Sequence, residues 1–172
     1  MPELPSIRIV AAAEADLPRV AELAGVIWRK HYPGIITSEQ IEYMLELGYS
    51  RDALLRFIVE PGAGLVLAYA GDRLAGFAAY YRSDHPGELK LDKLYVHQDH
   101  HGRGVGSRLI AHVERAASEQ GRPTLILNVN KQNTKAIRVY ESKGFAIRES
   151  VVVDIGGGFV MDDYVMMKRL ST

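Results

Sequence analysis

Apolar positions along this chain follow two periods. In DLPRVAELAGVIWRKHY (16–32), Leu17, Val20, Ala24, Ile27 and Trp28 recur at three- and four-residue steps, which predicts a helix with one buried face. Asp16 stands at the expected N-cap and Pro18 in the first turn. YPGII breaks that helix. TSEQIEYMLEL starts a second one: Thr37 and Gln40 have capping-box spacing, and Ile41, Met44 and Leu45 share a face. A short third helix is expected over 51–59, stopped by Pro61-Gly62. SIRIVAAA (6–13), ahead of all three, reads as a strand.

The period then changes. GLVLAYA (64–70) and RLAGFAAYYR (73–82), joined at Gly71-Asp72, read as a hairpin. ELKLDKLYV (88–96), after Pro86-Gly87, extends it to a meander. Helical spacing returns with Leu109, Ile110, Val113, Ala116 and Ala117, and Gly121 is the expected stop. TLILNVN (124–130) is a short apolar strand. NTKAIRVYESKG (133–144) is a helix closed by Gly144. FAIRESVVVDI and FVMDDYVMMKRL flank Gly156, Gly157 and Gly158 and read as a final hairpin. This order predicts an α+β, mixed-sheet layout rather than a doubly wound one.

Composition narrows the class. The chain has 172 residues, enough for a single domain over 1–172 with a proper core. Hydrophobic residues make up 47% and charged residues 24%, as in ordinary soluble proteins. Lys+Arg and Asp+Glu are 21 each; this neutrality argues against a nucleic-acid partner. Cysteine is absent, so disulfides, thiolate metal sites and an acyl-cysteine intermediate are excluded. MPELPSIRIV shows no basic-then-apolar leader, and no apolar run approaches the roughly 18 residues of a membrane span. A cytoplasmic protein without membrane association is expected.

The candidate chemistry centres on HHGRGVGSRLI (100–110). Gly102, Gly104 and Gly106 run into a helix start, with Arg103 and Arg108 beside them. Their spacing does not fit the G-x-G-x-x-G of a dinucleotide fold, and Gly106-Ser107-Arg108 does not fit the Gly-Lys-Ser/Thr of a P-loop. Alternating glycines can still turn several N–H groups towards one point, where a helix N-terminus adds positive charge. That suits a pyrophosphate. A tight strand-to-helix turn that binds nothing is the alternative.

With the downstream LNVNKQNTKAIRVYESKGF (127–145), this loop and the element order resemble the GNAT superfamily of acyl-CoA-dependent N-acetyltransferases, over roughly 7–170 of this chain. That family's Gln/Arg-x-x-Gly-x-Gly/Ala loop holds the CoA pyrophosphate; the matching positions are His101, Gly104 and Gly106. Its N…A…Y…GF pattern is matched by Asn133, Ala136, Tyr140 and Gly144-Phe145. Asn133 and Tyr140 stand two helical turns apart and face one way. His101 departs from the pattern, standing where Gln or Arg is usual.

The resemblance implies a GNAT fold: a mixed central sheet of about seven strands, helices on both faces, and strands 88–96 and 124–130 splayed into an acetyl-CoA cleft. Main-chain groups of Leu94, Tyr95 and Val96 would hold the pantetheine arm, with Asn128 across the cleft. The Val96 N–H would polarise the thioester carbonyl. His101, Gly102, Arg103, Gly104, Val105, Gly106 and Ser107 would form the phosphate loop. Asn133 would contact CoA or cap its helix, with Ala136 beside it. Tyr140 would be the general acid, since a phenol of pKa about 10 is protonated at neutral pH. Direct attack in a ternary complex is the expected mechanism.

Glu88, Asp92, His97 and Asp163 are candidate bases, and each also reads as a solvated surface group. Trp28, Tyr32, Tyr80, Asp92 and Asp163 are candidate acceptor contacts, because acids with aromatics suit a cationic amine. IWRKHYPGIITSEQIEYML and GGGFVMDDYVMMKRL are similar to a GNAT subgroup associated with polyamine acetylation. The expected acceptor is therefore a small primary amine, a polyamine among the candidates. Acetylation of a protein N-terminus or lysine, and acetyl-CoA sensing without turnover, stay open. The histidines of HQDHH (97–101) read as solvated, and no metal is expected. The apolar final hairpin suits pairing with a second subunit, so a homodimer is expected.

Overall fold

The two apolar periods sort into one sheet and its covering helices in the computed structural model, which describes residue 3 and residues 5–171. The strands are β1 (Ile7–Ala11), β2 (Gly64–Ala70), β3 (Arg73–Arg82), β4 (Glu88–Val96), β5 (Thr124–Asn130), β6 (Ala146–Gly156) and β7 (Phe159–Arg169). The helices are α1 (Leu17–His31), α2 (Ser38–Tyr49), α3 (Arg51–Val59), α4 (Val105–Glu119) and α5 (Thr134–Ser142). Strand order is β1-β2-β3-β4-β5-β7-β6. Every neighbouring pair is antiparallel except β4 and β5. Those two are parallel because α4 is the crossover that joins them.

Each sheet face has its own core. On one side α1, α2 and α3 bring Leu17, Val20, Ala24, Leu45 and Leu54 against Leu67 and Phe77. On the other, α4 and α5 bring Val105, Leu109, Val113 and Ile137 against Leu89, Leu125, Leu127 and Met166. β3, between two paired neighbours, is buried on both faces over Ala75–Tyr80. β6 is the outer edge strand, and Val152 and Val153 are exposed on it.

Strand β4 contains the irregularity that shapes the site. Ala79 faces Lys93 but Tyr80 faces Leu91, so Asp92 is an extra, bulged residue. The bulge reverses the side-chain alternation. Leu89 and Leu91 face the α4 side, and so do Leu94 and Val96, while Tyr95 turns to the α1 side.

Two local expectations are corrected. Asp16 does not cap α1; its carboxylate accepts the Ala13 N–H (2.8 Å) within the 3-10 turn Glu14–Asp16. Thr37 caps α2 by accepting the Gln40 N–H (3.1 Å), but Gln40 does not complete a capping box. Its amide instead donates to the Val160 carbonyl (2.9 Å), and the Tyr43 hydroxyl donates to the Ile155 carbonyl (2.7 Å). Both bonds hold α2 against the β6–β7 hairpin. Gly156 has φ 87°, and a Cβ there would come within 2.6 Å of the Tyr43 hydroxyl, so glycine is required for that approach.

Phe77 has no exposed surface and touches both Tyr49 and Tyr95. Phe77→Ala is expected to cost about 3–5 kcal/mol, read as a fall in the urea midpoint.

Candidate active site

Strands β4 and β5 pair at only three positions: Glu88 with Thr124, Leu89 with Leu125, and Lys90 with Ile126. Beyond them β4 keeps to β3 and β5 keeps to β7, and a cleft opens. Hydrogen-bond alternation says which groups face it. The His97 N–H donates to the Ala75 carbonyl (2.8 Å), so Val96 and Leu94 turn their own N–H and C=O away from β3. On the other wall the Lys131 N–H donates to the Asp162 carbonyl (3.1 Å), so the main chains of Asn130 and Asn128 also face the opening. The same alternation commits the Tyr95 main chain to β3, not to the cleft where it was expected, and its side chain turns to the α1 side.

The glycine loop closes one end of this cleft. Gly104 is the N-cap of α4 in the left-handed conformation (φ 80°), and Gly102 shares it (φ 74°). A Cβ on either would meet nothing within 4 Å, so the loop surface is open. The first main-chain bond of α4 runs from the Arg108 N–H to the Gly104 carbonyl (3.0 Å). The N–H groups of Val105, Gly106 and Ser107 therefore lack intrahelical partners and point outward. The loop lies against β4, since a Cβ on Gly106 would sit 3.8 Å from Val96 Cγ2. Arg103 and Ser107 are exposed beside it. His101 ties the loop to the strand end, because its Nε2 bonds the Val96 carbonyl (2.8 Å). Orphan amides, positive helix end and open surface fit a pyrophosphate.

Three tyrosines converge at the cleft. Tyr140, on α5, is half-buried with its ring 5.7 Å from Phe145. Burial, with a smaller contribution from Tyr32, holds its phenol well above the usual tyrosine value. Tyr32 caps the end of α1 and shares a 3.0 Å hydroxyl–hydroxyl bond with Tyr95. Trp28 is buried, 4.5 Å from the Tyr32 ring and 5.6 Å from that of Tyr95. It is a support behind them rather than a wall of the site. Asn133 caps α5 by accepting the Ala136 N–H (3.4 Å), and its amide oxygen also bonds His31 Nε2 (3.1 Å). Ala136 packs against the core beneath.

The candidate carboxylates separate clearly. Glu88 is at the paired end of β4 and is bound by Arg148. Asp92, the bulged residue, pairs with Lys93 (3.0 Å). His97 Nδ1 accepts the Asp99 N–H (3.1 Å). Asp163 is not solvated: it is 1% exposed, and its Oδ1 has no hydrogen-bond partner. Burial raises its carboxyl to about 6; Lys90, Asn128 and Lys131 oppose the shift and Asp162 adds to it. Tyr80 lies apart from Val96 along the sheet. Its ring lies over Gly64 at the start of β2, near Glu119 at the end of α4, and it stands four residues along β3 from Gly76, the partner of Val96.

Sequence reasoning missed His31. Nothing in IWRKHYPG marks it, because its partner lies 102 residues away. Among the described residues no cluster of His, Asp and Glu has metal-binding geometry, and no helix is long and apolar enough to cross a membrane.

Similarity to known proteins fits this geometry. The model of the acetyltransferase (GNAT) family matches residues 18–145. A spermidine N(1)-acetyltransferase of Thermoplasma acidophilum is 27% identical over 161 residues, covering 91% of this chain and 96% of that protein. The crystal structure of PaiA N-acetyltransferase from the same organism, in complex with coenzyme A, superposes with a TM-score of 0.81 at 26% identity, over 95% of this chain and 99% of that one. The ribosomal-protein-S18-alanine N-acetyltransferase of Escherichia coli shares the fold, with a TM-score of 0.72 at 20% identity, over 97% of this chain and 96% of that one.

Gly104→Asp forces a left-handed aspartate, at about 1–2 kcal/mol, and puts negative charge before the orphan amides. The expected outcome is a folded protein with no calorimetric CoA binding.

Proposed function

This chain belongs to the acetyltransferase (GNAT) family, and from that premise we propose that it moves an acetyl group from acetyl-CoA to a small primary amine by direct attack in a ternary complex. One observation carries the reading: the β4–β5 cleft is lined by free main-chain groups, ends at an anion-binding helix terminus, and has Tyr140 beside it. The loop over His101–Ser107 holds the pyrophosphate. The main chains of Leu94, Val96 and Asn128 hold the pantetheine arm as a strand-like guest, with Asn133 at its side.

In the reaction the amine nitrogen bonds to the thioester carbon and the carbon–sulfur bond breaks. The Val96 N–H stabilises the charge that develops on the carbonyl oxygen. Tyr140, protonated throughout the physiological range, donates to the departing sulfur. Transfer to a thiolate whose acid titrates near about 8.5 runs against that raised pKa; the proton released from nitrogen restores the phenol. No cysteine exists to carry the acetyl group covalently.

Helix α2 is held against the β6–β7 hairpin on the opposite side. Gln40 and Tyr43 bind that hairpin, and beside them lies an open hollow of about 240 Å3 lined by residues that include Ile35, Ile36, Gln40, Val160 and Asp162. Tyr32 and Asp163 lie on this acceptor side. A spermidine acetyltransferase among its relatives supports a polyamine as the amine.

Thiol release from acetyl-CoA, followed with a panel of diamines, polyamines and N-terminal peptides, tests this. Turnover above the amine-free background is expected with the small amines; peptides alone as acceptors would overturn the small-amine reading. Tyr140→Phe is expected to lower kcat by about 10²-fold while CoA affinity stays within about twofold. Equal turnover would remove Tyr140 from the chemistry.

A further inference from the structure

We propose that Asp163 takes the proton from the incoming ammonium group, so that the site selects acceptors arriving with positive charge. The inference rests on the acetyl-transfer reading and assigns it a base and a substrate class. Asp163 is among the most deeply buried polar side chains described, at 1% exposure, and its Oδ1 meets no donor within the protein. The Asn128 amide hydrogen-bonds the group, but leaving one oxygen of a buried carboxylate without a donor is costly. A bound ammonium supplies the missing donor.

Position makes the group useful. Asp163 stands opposite Asn130 in the β5–β7 ladder, at the open end of the cleft. Tyr32 lies close enough to Asp163 on one side and to Tyr140 on the other for each pair to feel the other's charge. Asp163 and Tyr140 thus share Tyr32 as a common neighbour. The other groups facing Asp163 are Lys90 on β4, Lys131 after β5, Asp162 on β7 and the Asn128 amide on β5. Lys131 is paired with Asp162 (2.7 Å), and on β6 the residue opposite is Val151. Glu88, Asp92 and His97 are each held by other partners.

The proton balance closes. An ammonium N–H bond breaks and the proton passes to Asp163; the free amine attacks the thioester; nitrogen loses a second proton on forming the amide. One proton ends on the CoA thiol, and Asp163 returns the other to solvent. A carboxyl titrating near about 6 is ionised at neutral pH and ready to accept.

Asp163→Asn keeps the shape and removes the base. With spermidine, wild-type kcat/KM is expected to fall as pH drops through about 6, and the variant is expected to lose about 10²-fold at pH 7.5 and to lack that acid limb. With methoxyamine, a weakly basic amine already neutral at that pH, the variant should lose less than about threefold. CoA affinity should be unchanged. Equal losses with both amines would reduce Asp163 to a structural residue, and an undiminished spermidine rate would overturn the proposal. Calorimetric binding of spermidine to the CoA complex provides a readout independent of turnover. Binding weakened about tenfold in the variant supports the cation site even if the wild type acetylates no amine. Binding that is absent in the wild type, or unaltered in the variant, overturns it.

Discussion

The site depends on the parting of β4 from β5. Two parallel strands that paired along their full length would satisfy each other's main-chain groups and leave no place for a third chain. Here pairing ends after three positions. The main chains of Leu94 and Asn128 and the N–H groups of Val96 and Asn130 form two facing ladders, and an extended guest can complete both. Neither strand is left unsupported, because β3 and β7 hold their outer edges throughout. The cleft is thus held open by the rest of the sheet.

The remaining features follow from where that cleft ends. Parallel pairing demands a crossover, the crossover is α4, and its N-terminus falls at the C-terminal end of β4. A positive helix end is thereby set at the mouth of the opening. His101 fastens the two by bonding the Val96 carbonyl. The Asp92 bulge then sends Tyr95 to the α1 side, where it meets Tyr32. One extra residue in β4 thus links α1 to the cleft.

Much of this was legible in the sequence, for a physical reason in each case. Helices 17–31, 51–59 and 105–119 announce themselves because one buried face imposes a 3.6-residue period. The loop was legible because left-handed backbone at Gly102 and Gly104 excludes most side chains. The family resemblance rested on that loop and on Asn133, Ala136 and Tyr140. The environment of the acids was not legible. Asp162 and Asp163 are adjacent and alike in sequence, but strand alternation sends one to Lys131 and the other inward. Tyr80 read as an acceptor contact, and only the register sets its ring over Gly64 at the start of β2. His31 carried no signal, since its contact with Asn133 exists only after α1 and α5 have been brought together.

The central claim is that CoA completes the open ladder and covers the orphan amides of α4. Amide hydrogen exchange, compared with and without CoA, tests it most directly. The account predicts slower exchange on CoA binding at Val96, Asn128, Val105, Gly106 and Ser107, with β1 and β2 unaltered. CoA binding that leaves those five amides exchanging at their free rates would contradict it.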